Sequence, residues 1–248
     1  MMVKSVSDRH RKAWFSMNYR VENKYLVTDS EAALLMARLN AAMHQDIHAD
    51  GSSYEVCSLY FDDLRDRGMD ENEAGLDQRE KYRIRFYGTD LETLHLERKE
   101  KIRGFVRKES CSLSLAEVNA LLEDRLPLSP DHRNILNLLR VKSRCCRMQP
   151  KVILRYDRTA FVCSAGNVRI TFDRNIQASL YCRDFPGEQI RGLTPVLPSG
   201  LLILEVKYDE FLPDFIVRLL ETGTLQQTAF SKYYWGRLAV GGTFPGSR

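Results

Sequence analysis

An α+β fold built on a closed, eight-stranded antiparallel β-barrel, with helices packed on its outside, is what this sequence predicts. Three observations carry that expectation. Eight runs alternate apolar and polar residues with the period of 2 of a half-buried strand, and three of the seven connections between them are hairpin-length, too short for a parallel crossover. Helical patterns opened by capping residues are inserted between the strands. Closure is the arrangement that leaves no sticky strand edge.

Residues 1–17 read as a basic lead-in with Arg9, Arg11 and Lys12. Residues 19–27 alternate as the first strand. Thr28-Asp-Ser-Glu31 is then a capping box, its hydroxyl and carboxylate able to satisfy free amides at a helix start. The spacing of Leu34, Leu35, Ala37, Leu39 and Met43 predicts an amphipathic helix over 30–43. A strand over 54–61 precedes an acidic, Gly-containing stretch, 62–77, expected as a long surface loop. Strands over 80–87, 93–100 and 105–111 follow, separated by the turn signals Gly88-Thr-Asp90 and Ile102-Arg-Gly104. Ser114-Leu-Ala-Glu117 is a second capping box, and the apolar positions from Leu115 to Leu138 predict two helices broken at Pro127 and Pro130. Strands return over 151–163, over 168–176 after a turn at Ala165-Gly-Asn167, and over 201–208 beyond an irregular Gly/Pro segment. Short helices around 213–221 and 231–240 complete one domain over 18–240, followed by a tail, 241–248.

Composition narrows the function classes. The 44% hydrophobic and 28% charged residues are ordinary for a globular protein. The longest apolar stretch, 201–206, falls far short of the roughly 20 residues of a membrane helix, and the polar, basic N-terminus predicts a cytoplasmic protein without a secretory signal. Six cysteines without a CxxC pair predict reduced, mostly buried thiols. With 37 Lys plus Arg against 33 Asp plus Glu, the net charge of +4 is too small for a broad nucleic-acid footprint, and no nucleic-acid partner is expected. Neither GxxxxGK[ST] nor a post-strand GxGxxG occurs. His44 and His48 are four apart but do not form HExxH, so they are expected at the surface or a helix end.

The strands themselves carry the chemical signal. Alternate positions place Arg20, Glu22 and Lys24 on one face of the first strand, Lys81, Arg83 and Arg85 on one face of the third, Glu97, Lys99 and Lys101 on the fourth, Arg169, Thr171 and Asp173 on the seventh, and Glu205 and Lys207 on the eighth. The opposite faces hold Tyr82, Ile84, Phe86, Leu96, Ile170, Phe172, Leu204 and Val206. One such strand would be an ordinary solvated face. Five alike imply a barrel whose interior is cationic and whose apolar exterior is covered by helices. Burying so many uncompensated charges would exceed a domain's whole stability, so the interior must be wet and hold an anion. Arg forks and Lys point charges suit the oxygens of an extended phosphate chain. The carboxylates Glu22, Glu97 and Glu205 are expected to hold a divalent cation such as Mg²⁺ that bridges to those phosphates, the alternative being that each simply pairs with a neighbouring Arg or Lys. The aromatic Tyr82 and Phe86 alternate away from the basic face, which favours packing over base stacking.

The runs Tyr19-Arg-Val-Glu-Asn-Lys-Tyr25, Lys81-Tyr-Arg-Ile-Arg-Phe-Tyr-Gly88, Leu96-Glu-Arg-Lys99, Tyr156-Asp-Arg-Thr-Ala-Phe161, Arg169-Ile-Thr-Phe-Asp173, Leu204-Glu-Val-Lys207 and Phe230-Ser-Lys-Tyr233 resemble, in order, the VTC (vacuolar transporter chaperone) polyphosphate polymerase domain of the triphosphate tunnel metalloenzymes. The resemblance implies an eight-stranded tunnel that binds ATP or another triphosphate and transfers the γ-phosphoryl group onto polyphosphate with Mn²⁺ or Mg²⁺. It implies phosphate contacts for Lys24, Arg83, Arg85, Lys99, Lys108, Arg158, Arg169, Ser231 and Lys232, metal ligation for Glu205, and catalytic roles for Lys24, Arg83, Arg85, Lys99 and Glu205. Arg155 and Lys207 join the lumen candidates by alternation alone. The superfamily's ExExK appears as Arg20-Val-Glu22-Asn-Lys24, which suits the VTC branch and makes a plain triphosphatase less expected, and Ala229 stands where some members carry a further Lys. Membrane-spanning domains of the eukaryotic proteins are not part of the match, so a membrane complex would need a separate partner. A triphosphate hydrolase of the same fold and a non-catalytic polyphosphate or inositol-phosphate binder are the alternative readings.

Overall fold

The computed structural model describes residues 20–46, 53–102, 105–129 and 133–241; the lead-in over 1–17, His48, Pro130 and the tail beyond residue 241 lie outside the described residues. In chain order the elements are β1 (Val21–Thr28), α1 (Asp29–Asn40), β2 (His44–Gln45), β3 (Tyr54–Asp62), α2 (Arg67–Glu73), β4 (Arg79–Tyr87), β5 (Asp90–Ile102), β6 (Phe105–Leu113), α3 (Leu115–Leu122), α4 (Asn134–Cys146), β7 (Gln149–Cys163), β8 (Val168–Ser179), β9 (Thr194–Pro195), β10 (Leu201–Tyr208), α5 (Asp214–Leu220), β11 (Gln226–Gln227) and α6 (Lys232–Ala239). The eight strands of eight residues or more are the eight runs that alternation predicts; β2, β9 and β11 are two-residue additions. Both capping boxes form, with the Thr28 and Ser114 hydroxyls accepting from the Glu31 and Glu117 amides. No helix among the described residues is long and apolar enough to cross a membrane.

Every ladder is antiparallel, and the sheet runs β11-β1-β10-β8-β7-β3-β4-β5-β6, with β2 on β7 and β9 on β8. This corrects the closed eight-stranded barrel: the ladder is an open, rolled sheet of eleven strands. Part of the outer edge of β1 is occupied by β11, which pairs with Tyr25 and Leu26, with Thr228 N donating to Lys24 O, and no ladder joins β1 to β6 among the described residues. Side chains bridge the seam instead, since Lys99 of β5 reaches Glu22 of β1 at 2.8 Å.

The apolar faces turn outward beneath helices, as the alternation requires. Leu35 and Leu39 of α1 and Ile216 and Leu220 of α5 pack on Ile170, Phe172, Leu204 and Val206. On the other flank, Val118 and Leu121 of α3 and Leu136 and Leu139 of α4 cover Leu59, Tyr82, Ile84 and Leu96. Inside the roll, Phe230 joins Val56, Tyr156, Ile176 and Ile203, and Tyr233 of α6 packs on Tyr60, Val152, Leu154 and Ala178. α6 thus closes the lumen on one side. Gly236 permits this, because a Cβ there would stand 2.5 Å from Leu154 Cδ2.

Two further expectations change. The 62–77 stretch is not a solvated loop: it contains α2, and Asp62 and Asp63 are buried with their Oδ1 atoms accepting from the amides of Asp63 and Gly68 and of Arg65 and Arg67. Of the six free cysteines only Cys57 is buried; Cys145 and Cys146 are exposed and the rest are half-buried.

Candidate functional site

The parity of each strand decides which side chains enter the lumen, and the ladder registers bring them level. Glu22 and Lys24 of β1 stand opposite Lys207 and Glu205 of β10, and Asp173 of β8 opposite Arg158 of β7. Across β4, β5 and β6, Arg83 is opposite Glu97, while Lys81, Lys99 and Lys108 form one row. Like charges directly opposite destabilise a ladder, so this row does not serve the stability of the sheet.

Three carboxylate-centred clusters organise these cations. Glu97 accepts from Arg83 Nε at 2.6 Å and pairs with Arg85 at 3.2 Å and Lys108 at 2.7 Å. Burial alone would raise its carboxyl, but Arg83 and Lys108 outweigh it and hold Glu97 down at about 2. Asp173, wholly inaccessible, accepts from Arg158 Nε and its terminal nitrogen at 2.6 and 2.8 Å and forms an ion pair with Lys232 at 2.5 Å. Burial disfavours the Lys232 ammonium, yet Asp173 and Glu205 reverse this and hold it above the ordinary lysine range. The third cluster joins Glu205 to Lys24 at 3.7 Å and Lys207 at 3.2 Å, and Glu22 to Lys24 at 3.1 Å, Lys99 at 2.8 Å and Lys207 at 3.8 Å. Against its burial, Lys207 and Lys24 keep the Glu205 carboxyl well below the usual carboxylate range.

Tyrosines that the sequence reading did not single out line the same space. Tyr60 OH accepts from Arg83 at 2.7 Å, and the Tyr156 ring lies 5.3 Å from the Arg158 guanidinium and 5.2 Å from Lys232 Nζ. Their parity on β3 and β7, even-numbered like Arg158, was the available signal. Arg169 donates to Tyr54 OH at 3.0 Å and pairs with Asp46. Ser231 caps α6, accepting from Tyr234 N at 3.3 Å and from Lys81 Nζ at 3.0 Å.

The structure therefore brings together Lys24, Arg83, Arg85, Lys99, Lys108, Arg158, Arg169, Lys207, Ser231 and Lys232, and it excludes Arg155. That residue lies on the outer face of β7, paired with Glu55, beside Asp157, Asn175 and Gln177. A regular strand cannot present Arg155 and Arg158 to one side, because their separation is odd. The three expected metal ligands do not meet at one point: Glu97 sits in its own cluster with Arg83, Arg85 and Lys108, and no three His, Cys, Asp or Glu side chains converge among the described residues. Glu22 and Glu205 do face each other; burial and the Glu205 charge oppose ionisation of Glu22, but Lys207 and Lys99 outweigh them and hold its carboxyl below the ordinary range. Two carboxylates are the donor number a hydrated Mg²⁺ or Mn²⁺ commonly takes, so this pair fits a divalent ion.

Comparison with known proteins bears on the fold and the family. The chain shares its fold with a candidate adenylate cyclase from Bacillus halodurans, at 15% identity and a TM-score of 0.52 over 85% of this chain and 92% of that one. A candidate adenylyl cyclase from Hippeastrum with a dominant triphosphatase activity superposes at 14% identity and the same TM-score, over 90% of this chain and 97% of that one. No curated protein sequence matches the chain significantly. The VTC domain family model matches residues 19–240, nearly the whole length, and the chain belongs to the VTC domain family.

Proposed function

We propose that the lumen binds ATP and linear polyphosphate and transfers the γ-phosphoryl group onto the chain end, as a polyphosphate polymerase-like phosphotransferase. One observation carries this reading: the lumen cations are neutralised by Glu22, Glu97, Asp173 and Glu205, an internal set of anions that phosphate oxygens can replace. Arg83, Arg85 and Arg158 offer planar forks to phosphate oxygens, and Lys24, Lys99, Lys108, Lys207 and Lys232 offer point charges around them. Phosphoryl transfer through a loose transition state needs alignment and charge stabilisation more than a covalent catalyst, and these side chains supply both. Glu22 and Glu205 would hold a divalent ion, which when bound would supply positive charge to offset the charge that develops during transfer. Arg85, buried and held between Glu97 and Tyr87 OH, positions the phosphate rather than follows it.

Incubation of the purified chain with ATP and Mn²⁺, with Glu205→Gln alongside, tests the reading. Polyphosphate formation that the variant loses is the expected result. Free phosphate without polyphosphate would make the chain a hydrolase, and neither product despite tight tripolyphosphate binding would make it a binder.

A further inference from the structure

We propose that Lys81 is a further phosphate ligand of this lumen, present as a neutral amine in the free protein and as an ammonium against bound phosphate, so that polyphosphate binding takes up a proton. The inference rests on the lumen being a polyphosphate site and assigns a role that the other lysines cannot share. Lys24, Lys99, Lys108, Lys207 and Lys232 each touch a carboxylate. Lys81 has no carboxylate oxygen within 4.0 Å among the described residues; its Nζ donates only to neutral acceptors, Asn72 Oδ1 of α2 at 2.9 Å and Ser231 Oγ at 3.0 Å.

The groups facing it explain why. Arg79 on its own strand, Lys24 from β1 and Lys99 from β5 all oppose a positive charge, and the Tyr233 ring of α6 lies 5.6 Å away. Asp62 of β3 is the acid that favours the charge, but its oxygens already accept from Tyr233 OH and from the amides of Asp63 and Gly68. Burial first, then these three cations, push the Lys81 amine down to about 7. Two N–H bonds of a neutral amine satisfy Asn72 and Ser231 and leave a lone pair. Protonation from solvent converts that lone pair into a third N–H, the donor a phosphate oxygen requires. The row Lys81, Lys99 and Lys108 places this donor beside two permanent cations.

Calorimetric titration with tripolyphosphate at pH 8, in two buffers of different ionisation enthalpy, reads the protons exchanged. Lys81→Arg is the decisive comparison, because guanidinium stays charged in both states. The unsubstituted protein should take up about 0.9 proton more than Lys81→Arg, since an amine near 7 is about nine-tenths neutral at that pH. Lys81→Met should bind more weakly and exchange the same number of protons as Lys81→Arg; thermal melts confirm that both variants fold. Equal proton numbers for the unsubstituted protein and Lys81→Arg, with binding intact, would overturn the role of Lys81 alone. No binding by the unsubstituted protein would overturn the polyphosphate reading itself.

Discussion

Replacement of Asp173 by Asn tests the exchange of internal carboxylates for phosphate in a single residue. Asp173 has no accessible surface and compensates two cations, with Arg158 on both oxygens at 2.6 and 2.8 Å and Lys232 at 2.5 Å. Asparagine keeps the shape and removes the charge, leaving a buried guanidinium and a buried ammonium side by side. Breaking a buried ionic cluster in this way costs roughly 3–5 kcal/mol. At about 2–4 °C per kcal/mol for a chain of this size, the melting temperature should fall by roughly 6–20 °C. Tripolyphosphate at 100 times its Kd stabilises the unsubstituted protein by about 2.7 kcal/mol. In the variant the carboxylate no longer competes for Arg158 and Lys232, so the same anion binds at least about tenfold tighter and adds a further ~1.4 kcal/mol. Differential scanning fluorimetry with and without tripolyphosphate reads both effects. A variant that melts within 2 °C of the parent, or that gains no more from the anion than the parent does, would refute the reasoning.

Arg83→Ala removes a donor to Glu97 and Tyr60 from the lumen and no packing residue, so tripolyphosphate affinity should fall about 10- to 100-fold with the far-ultraviolet spectrum unchanged; an unfolded or fully binding variant contradicts the lumen geometry. Arg155→Gln acts on the outer face, where its half-exposed pair with Glu55 is worth less than about 1 kcal/mol, and calorimetry should find anion affinity unaltered. A tenfold loss would return Arg155 to the lumen. The carboxyl of Glu97 is lowered on folding, so its stabilisation is complete above about pH 4.5 and is lost as pH falls toward 2. Acid titration monitored by tryptophan fluorescence should therefore show Glu97→Gln losing about 3 kcal/mol less than the parent between those limits.

The strands and the lumen were legible because period 2 operates within one segment and needs no knowledge of its neighbours. Lys24, Arg83, Arg85, Lys99, Arg169, Glu205 and Lys207 each follow from parity on their own strand. What escaped depends on pairing between distant segments. The edge of β1 is partly covered by Gln226 and Gln227, two polar residues with no strand pattern, which reach β1 only through the fold. Glu97 was expected to hold metal because its three cations come from β4 and β6, and only the registers show them converging. Arg155 sits where β7 shifts register against β8 between Arg155 and Asp157, although its odd separation from Arg158 could have excluded one of the two. Asp62 and Asp63 looked solvated because acidic runs commonly are; their capture by backbone amides of α2 is a property of the turn, not of the composition.

The net charge of +4 acquires a different meaning from this arrangement. A lumen of uncompensated lysines and arginines could not fold, and a lumen compensated by fixed, fully committed acids could not bind. The clusters on Glu22, Glu97, Asp173 and Glu205 meet both demands, because each carboxylate is shared among two or three cations. An arriving phosphate needs to displace only one partner at a time, while the remaining cations keep the carboxylate ionised. Lys99 shows the consequence at the seam of the open sheet. Its contact with Glu22 joins β5 to β1 where no backbone ladder does among the described residues, so under the proposed function a phosphate that recruits Lys99 would act on this contact across the seam. The four carboxylates face eight cations, an excess of 8 − 4 = +4 that equals the net charge of the whole chain, so the positive charge is concentrated in the lumen while the other acidic and basic residues balance.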